Sequence, residues 1–85
     1  MAIFQDVVSR NDTNEKEQLQ QKIKEKIKLI RESKMISQQN LAAMCNFEKG
    51  NMSRIESGRT NPTIETIYKI SQALSVKMID ILDVE

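Results

Sequence analysis

Residues 37–62 read SQQNLAAMCNFEKGNMSRIESGRTNP, and this stretch decides the fold of the chain. Its apolar and small residues predict two short helices, over 38–45 and 49–57, joined by a tight turn. Ser37 offers a side-chain oxygen that caps the first helix, and Gly58 is a residue at which the second helix can end. We expect the rest of the chain to hold this helix pair at a fixed angle.

The apolar side of the pair follows from helical spacing. The positions predicted to face inward are Leu41, Met44, Cys45, Phe47, Met52 and Ile55. Ala42 and Ala43 are small, as a close crossing of two helices requires. Asn46 tolerates the left-handed conformation that ends a helix. Cys45 is therefore interpreted as a small core residue rather than a nucleophile.

Helices are also predicted on both sides of the pair. A long helix over 15–33, capped by Asn14, carries an apolar stripe of Leu19, Ile23, Ile27 and Ile30. Its remaining surface carries lysines that we expect to be mostly solvated: Lys22, Lys24, Lys26 and Lys28. Thr63 caps a fourth helix, whose stripe is Ile64, Ile67, Ile70 and Leu74. A short terminal helix is indicated by Val76, Met78, Ile79, Ile81 and Leu82. The predicted fold class is all-α.

The first fourteen residues are predicted to form an arm outside this domain. The polar residues 11–14 (NDTN) interrupt the helical pattern, so we divide the chain into an arm over 1–14, with a short helix, and a domain over 15–85. The arm has apolar residues that need a surface to pack on: Ile3, Phe4, Val7 and Val8. That surface belongs either to this domain or to a second copy of it.

The composition excludes several classes of protein. With 85 residues and 39% hydrophobic content, the chain is expected to form one small domain. One cysteine and no histidine argue against a disulfide framework, the usual zinc sites and the commonest general base. We therefore expect no metal, no cofactor and no enzymatic activity. No apolar run approaches the ~18 residues that span a bilayer, and the start of the chain is unlike a signal peptide, so a cytoplasmic protein is expected.

The charges are unevenly distributed, although the formal net charge is only +1. Residues 21–60 carry a net charge of +5, whereas 1–20 and 61–85 each carry −2. The positive segment contains the helix pair, where a phosphate-binding surface would be expected. A solvated, lysine-rich helix face is the alternative, and charge alone does not separate the two.

Residues 37–62 resemble the helix-turn-helix of the Xre/Cro/phage-repressor family. The matching motifs are S-Q-x-x-L-A over 37–42, an asparagine–hydrophobic pair at 46–47, M-S-R-I-E-S-G over 52–58 and N-P-T over 61–63. Together they are specific, whereas each alone would be weak, and the resemblance covers roughly residues 24–82. It implies a five-helix, lambda-repressor-like DNA-binding domain, here with an extended N-terminal segment.

The resemblance implies that the second helix of the pair enters the major groove of double-stranded DNA. The residues then expected to meet base edges are Glu48, Lys49, Gly50, Asn51, Ser53 and Arg54. Arg54 is the strongest candidate, because its forked guanidinium matches guanine O6 and N7. Gly50 either lets the backbone approach the bases or only loosens the first turn, and both interpretations stay open. The expected phosphate contacts are Gln38, Arg59, Thr60 and Asn61. The alternative for the last three is an ordinary polar loop.

Some positions match the family for structural reasons, and others depart from its pattern. Arg31 and Glu56 resemble the salt bridge that joins the first helix to the recognition helix. Glu48 stands where serine or threonine is usual; it would repel phosphate, although a carboxylate can accept a hydrogen bond from cytosine N4. Ser75 stands where glycine is usual before the last helix, and Lys77 where a capping serine is common.

The leading hypothesis is a sequence-specific transcriptional regulator, a repressor, that binds a palindromic operator as a homodimer with half-sites about 34 Å apart. The apolar residues offered as dimer surface are Ile3, Phe4, Val7, Val8, Ile79 and Leu82, which could equally form a satellite of the core. The alternative is an antitoxin-like or adaptor module whose main partner is another protein, such as a toxin. The fold does not separate the two hypotheses.

Overall fold

Five helices make up the fold in a computed structural model, which describes the backbone of residues 2–84 and the side chains of residues 15–84. They are α1 (Ala2–Ser33), α2 (Gln38–Met44), α3 (Asn51–Ser57), α4 (Ile64–Ala73) and α5 (Met78–Leu82). Every regular element within 2–84 is helical, so the predicted all-α, five-helix fold is confirmed. None of these helices is both long enough and apolar enough to cross a membrane.

All five helices contribute to one core. Its buried apolar side chains are Ile27, Leu41, Ala42, Cys45, Met52, Ile55, Ile67, Ile70, Leu74 and Ile81. The expectation that Leu19, Met44 and Ile64 face inward is wrong, because they are 42%, 55% and 65% exposed. Met44 ends α2, Ile64 begins α4, and Leu19 lies one turn before the half-buried Ile23. At these three positions the helical periodicity places the side chain on the apolar side of its helix, but no neighbouring helix covers it.

The prediction that residues 11–14 interrupt the first helix is wrong. α1 runs from Ala2 to Ser33 without a break, so Asn14 lies inside a helix rather than capping one. Asparagine, aspartate and threonine each cost less than about 1 kcal/mol in a helix, and no glycine or proline precedes residue 50. Nothing in this segment therefore forces an end. The side chains predicted for the arm, Ile3, Phe4, Val7 and Val8, lie outside the described side chains.

The predicted caps around the helix pair are confirmed. Ser37 Oγ accepts a hydrogen bond from the Asn40 backbone N–H at 3.0 Å. Thr63 Oγ1 does the same for the Thr66 N–H at 3.1 Å, at the start of α4. Gly58 ends α3 with φ of 86°, a left-handed conformation that costs glycine little. Side-chain caps thus fix the starts of α2 and α4, and a left-handed glycine fixes the end of α3.

α5 forms although two positions before it depart from the family pattern. Ser75 adopts φ of 60°, the left-handed conformation for which glycine would be the easier residue. The Lys77 side chain offers no acceptor for a cap, but the Asp80 carboxylate accepts a hydrogen bond from the Lys77 backbone N–H at 2.9 Å. Burial of Ile81 at 0% exposure then holds α5 against the core.

Candidate nucleic-acid interface

The turn between α2 and α3 places the two helices side by side. Asn46 takes the left-handed conformation, with φ of 59°, as its sequence position predicted. The Phe47 N–H then donates to the Ala42 carbonyl at 2.9 Å, and the half-buried Phe47 ring packs against the core. Leu41 of α2 and Ile55 of α3 are buried in that same core. The inner side of the pair is therefore fixed by apolar packing.

A buried salt bridge ties α3 to α1. Arg31 Nε donates to Glu56 Oε2 at 2.7 Å, and Arg31 Nη2 donates to Glu56 Oε1 at 3.0 Å. Their side chains are only 8% and 3% exposed. Arg31 Nη1 also donates to the Ile36 carbonyl at 2.7 Å, and Gln38 Nε2 donates to Glu56 Oε1 at 2.9 Å. One network thus joins α1, the α1–α2 connection, α2 and α3.

The electrostatics of this network favour the charged pair. The hydrogen bond to Glu56 raises the pKa of Arg31 and outweighs the opposing effect of burial. A buried pair of this kind fixes geometry, because either partner alone would be a buried, unpaired charge. Both carboxylate oxygens of Glu56 accept hydrogen bonds within this network. Burial also raises the pKa of the Cys45 thiol, which disfavours the nucleophilic thiolate.

The second helix of the pair begins later than the sequence predicted. α3 starts at Asn51 rather than Lys49, and Lys49 lies in the preceding turn. Gly50 has φ of 84°, a left-handed conformation that an α-helix does not contain, so it stands before the helix rather than in its first turn. The interpretation that Gly50 loosens the first turn is therefore wrong.

The side of α3 that faces away from the core carries the residues predicted to read bases. Ser53 and Arg54 are exposed on the helix, whereas Asn51 is half-buried at its start. Glu48, Lys49 and Gly50 are exposed in the turn, and the Arg54 guanidinium reaches back to lie over Gly50. The structure thus brings the six predicted residues to one end of one short helix.

The residues predicted to hold phosphates lie at two other places. Arg59, Thr60 and Asn61 are exposed in the loop that follows α3. Gln38 is half-buried at the start of α2, and its side-chain amide is already hydrogen-bonded to Glu56. The structural partner of Gln38 was not foreseen from the sequence, since it depends on a helix 18 residues away.

Comparison with known proteins identifies the fold family. A helix-turn-helix family model matches residues 27–81, which include the Arg31–Glu56 bridge and both helices of the pair. The chain belongs to the Xre/Cro-type helix-turn-helix family. This is a family of DNA-binding transcriptional regulators.

Two curated relatives of this helix-turn-helix chain carry regulatory names. An uncharacterised HTH-type transcriptional regulator, y4dJ, of Sinorhizobium fredii is 34% identical over 53 residues, which are 62% of this chain and 69% of that protein. The control protein C.BamHI of Bacillus amyloliquefaciens is 42% identical over 60 residues, which are 69% of this chain and 74% of that protein. No solved structure matches the chain significantly.

The helix-turn-helix pair has an open groove between its two helices. The groove has a volume of about 510 Å³. It is lined by Gln38, Gln39, Ala42, Ala43, Phe47, Lys49, Gly50, Met52 and Ser53. Several of the predicted base-reading residues therefore stand on the wall of a concave surface rather than on a flat one.

One cation next to the loop after α3 was missed by the sequence analysis. Lys24 of α1 was assigned to the solvated surface, but it is half-buried and its ammonium lies against Gly58. The signal that could have found it is its spacing of seven residues from Arg31, because two helical turns place both side chains on nearly the same face of α1. Lys24 therefore borders the loop that contains Arg59.

Proposed function

We propose that this chain is a sequence-specific, double-stranded-DNA-binding repressor that reads the major groove with α3 and acts as a homodimer on a palindromic operator. The observation that carries the proposal is the polar and basic face of α3 and its turn, held in place by a buried salt bridge. Family membership supports DNA binding and transcriptional regulation in general.

The dimensions of α3 support its entry into the groove. Its seven residues span about 10 Å at the 1.5 Å rise of a helix, and a major groove is about 12 Å wide. Arg54 is exposed, and none of the described side chains accepts a hydrogen bond from it. Its guanidinium can therefore form the bidentate pair with guanine O6 and N7, while Lys49, Asn51 and Ser53 contact neighbouring positions.

The surroundings of α3 support phosphate contacts on both sides of it. Arg59, Thr60 and Asn61 follow the helix and are exposed. Gln38 begins α2, and its backbone rather than its occupied side-chain amide is the group available to phosphate. Glu48 remains the unfavourable neighbour, and we assign it to a cytosine N4 amino group.

A homodimer follows from the small size of the reading surface. One short helix reads only a few base pairs, and a two-fold dimer doubles the site. Ile79, a member of the predicted dimer surface, is 60% exposed on α5. Leu82 packs partly on the core instead.

Ile79→Lys is expected to convert the dimer into a monomer in sedimentation analysis, whereas Ile64→Lys, at a 65% exposed position on α4, leaves it a dimer.

The repressor role is the most specific part of the proposal. The names of the two relatives, a transcriptional regulator and a control protein, support regulation without giving its sign. A reporter gene placed behind the selected site is expected to fall in expression when the protein is produced. Activation of the reporter would overturn the repressor assignment but not the DNA-binding one. A second chain that co-purifies in fixed ratio would favour the antitoxin-like alternative.

The reading role is tested by selecting bound duplexes from random DNA. Wild-type protein is expected to enrich one sequence, and Arg54→Ala to lose the preference at one base pair per half-site while it keeps most of its salt-dependent, non-specific affinity. Lys26→Ala removes a charge from α1 and serves as the matched control, with an unchanged selected sequence. An unchanged preference in Arg54→Ala would show that α3 is not the reading helix.

A further inference from the structure

We propose that Lys24 contacts a phosphate of the DNA backbone, so that the DNA-binding surface extends from the helix-turn-helix onto α1. This inference rests on the proposed function, because it assigns one more contact to the same surface. The ligand group is a phosphodiester anion, and the contact is a charge-assisted hydrogen bond from the Lys24 ammonium. It supplies affinity and position but reads no base.

The geometry puts Lys24 at the loop that follows the recognition helix. The ammonium lies so close to Gly58 that a Cβ at that position would collide with it. The next residue in the chain is the exposed Arg59. Gln20, one turn earlier on the same side of α1, lines a small cleft with Asn61 and Pro62. α1 therefore borders the loop along its length, and Lys24 stands at the end nearest to α3.

The N–H groups of the Lys24 ammonium are available for a hydrogen bond to a phosphate. None of the described side chains accepts a hydrogen bond from it or forms an ion pair with it. The carboxylate of Glu56 is already bound by Arg31 and Gln38. The C-terminal end of α3 attracts a cation, but its Arg54 and Ile55 carbonyls accept backbone hydrogen bonds. The helix end therefore positions the ammonium without satisfying its three N–H groups.

The decisive comparison is between Lys24→Gln and Lys26→Gln. Both changes remove one charge from a half-buried position of α1, but residues two apart on a helix do not face the same side. We expect Lys24→Gln to lower the slope of log affinity against log salt by about 0.9 per bound protomer, on the wild-type-selected duplex and on a random duplex of equal length. Between 50 and 200 mM salt, the affinity of Lys24→Gln should therefore fall about 3.5-fold less than the affinity of the wild type. Lys24→Arg should keep the wild-type slope, and the selected sequence should not change.

The outcomes separate this inference from the function on which it rests. A wild-type protein without salt-dependent DNA binding overturns the proposed function. If the wild type shows the expected salt slope and Lys24→Gln has the same slope, the Lys24 contact is overturned and the proposed function stands. This holds even if the variant melts at a lower temperature, because Lys24 then has only a structural role. A methylphosphonate scan of the selected duplex gives a second measurement. One neutralised phosphate should weaken the wild-type protein but not Lys24→Gln, and the absence of such a position contradicts the contact.

Discussion

The two faces of α3 have opposite environments although their residues alternate in the chain. Met52 and Ile55 are 1% exposed and belong to the core. Ser53 and Arg54 lie between them in sequence and are exposed. The inner face is fully used by packing and by the Glu56 bridge, whereas none of the described side chains binds the Arg54 guanidinium. One face is thus explained by the fold, and the other is available to the DNA that we propose as its partner.

Under the proposed function, this difference separates stability from DNA recognition within a helix of seven residues. Substitutions on the inner face should change the free energy of unfolding, and DNA binding only as a consequence. Substitutions on the outer face should change binding at nearly constant stability, since exposed side chains away from caps usually matter by less than about 0.5 kcal/mol. The two faces, and the two ends of the helix, can therefore be tested against each other.

The largest expected effect is that of Arg31→Ala. It leaves the Glu56 carboxylate buried without its charge partner and should lower the free energy of unfolding by about 3–5 kcal/mol. Arg54→Ala removes the same side chain from the outer face and should cost less than about 0.5 kcal/mol. Urea unfolding followed by circular dichroism measures both. Equal losses in the two variants would contradict the assignment of the faces.

Met52→Ala tests the apolar part of the inner face. Truncation of a fully buried methionine removes contacts and leaves a cavity, so a loss of about 2–5 kcal/mol is expected. Its neighbour Ser53→Ala should be nearly neutral in thermal unfolding but should weaken binding to the selected duplex. A Met52→Ala protein of wild-type stability would mean that α3 is not packed as described.

The glycines at the two ends of α3 should differ by a smaller amount. Both have positive φ, so alanine at Gly50 or Gly58 should cost about 1–2 kcal/mol. Only at Gly58 does the new Cβ collide with Lys24. The ammonium is the far end of a flexible side chain and can move aside, so we expect Gly58→Ala to be only slightly the more destabilising change in a thermal melt. The difference from Gly50→Ala should disappear in a Lys24→Ala background, and its persistence would place Lys24 elsewhere.

Ser75→Gly provides the reference for this backbone effect outside α3. Ser75 has φ of 60°, and glycine relieves that conformation but gains entropy in the unfolded chain. A net stabilisation of about 0.5 kcal/mol is expected in a thermal melt, with DNA binding unchanged. Destabilisation by this substitution would show that the conformational cost of the left-handed serine is smaller than the entropic cost of ordering glycine on folding.

Local chemistry made much of this fold predictable from the sequence. Ser37, Thr63 and Gly58 limit their helices as predicted, because capping depends on residues three or four positions away. The same rules failed at Asn14, where a cap residue lies inside a continuous helix because nothing next to it ends that helix. The start of α3 was predicted two residues too early, since the left-handed conformation of Gly50 leaves no mark in the apolar pattern.

The candidate site was predictable in its residue types but not in its contacts. The exposure of Arg54 follows from the spacing of its apolar neighbours Met52 and Ile55. The hydrogen bond from Gln38 to Glu56 and the position of Lys24 against Gly58 depend on how distant helices cross. No local pattern encodes such a crossing, so these two features required the structure.

Arg54 is central to the proposed function, because it is expected to read a guanine in the major groove. The most direct measurement replaces the guanines of the selected duplex one at a time with 7-deazaguanine, which removes the N7 acceptor and keeps base pairing. One replacement per half-site should weaken wild-type binding by about tenfold, within the 1–3 kcal/mol of a bidentate pair, and should leave Arg54→Ala unaffected. Equal losses in both proteins, or no loss in the wild type, would contradict the reading of guanine by Arg54.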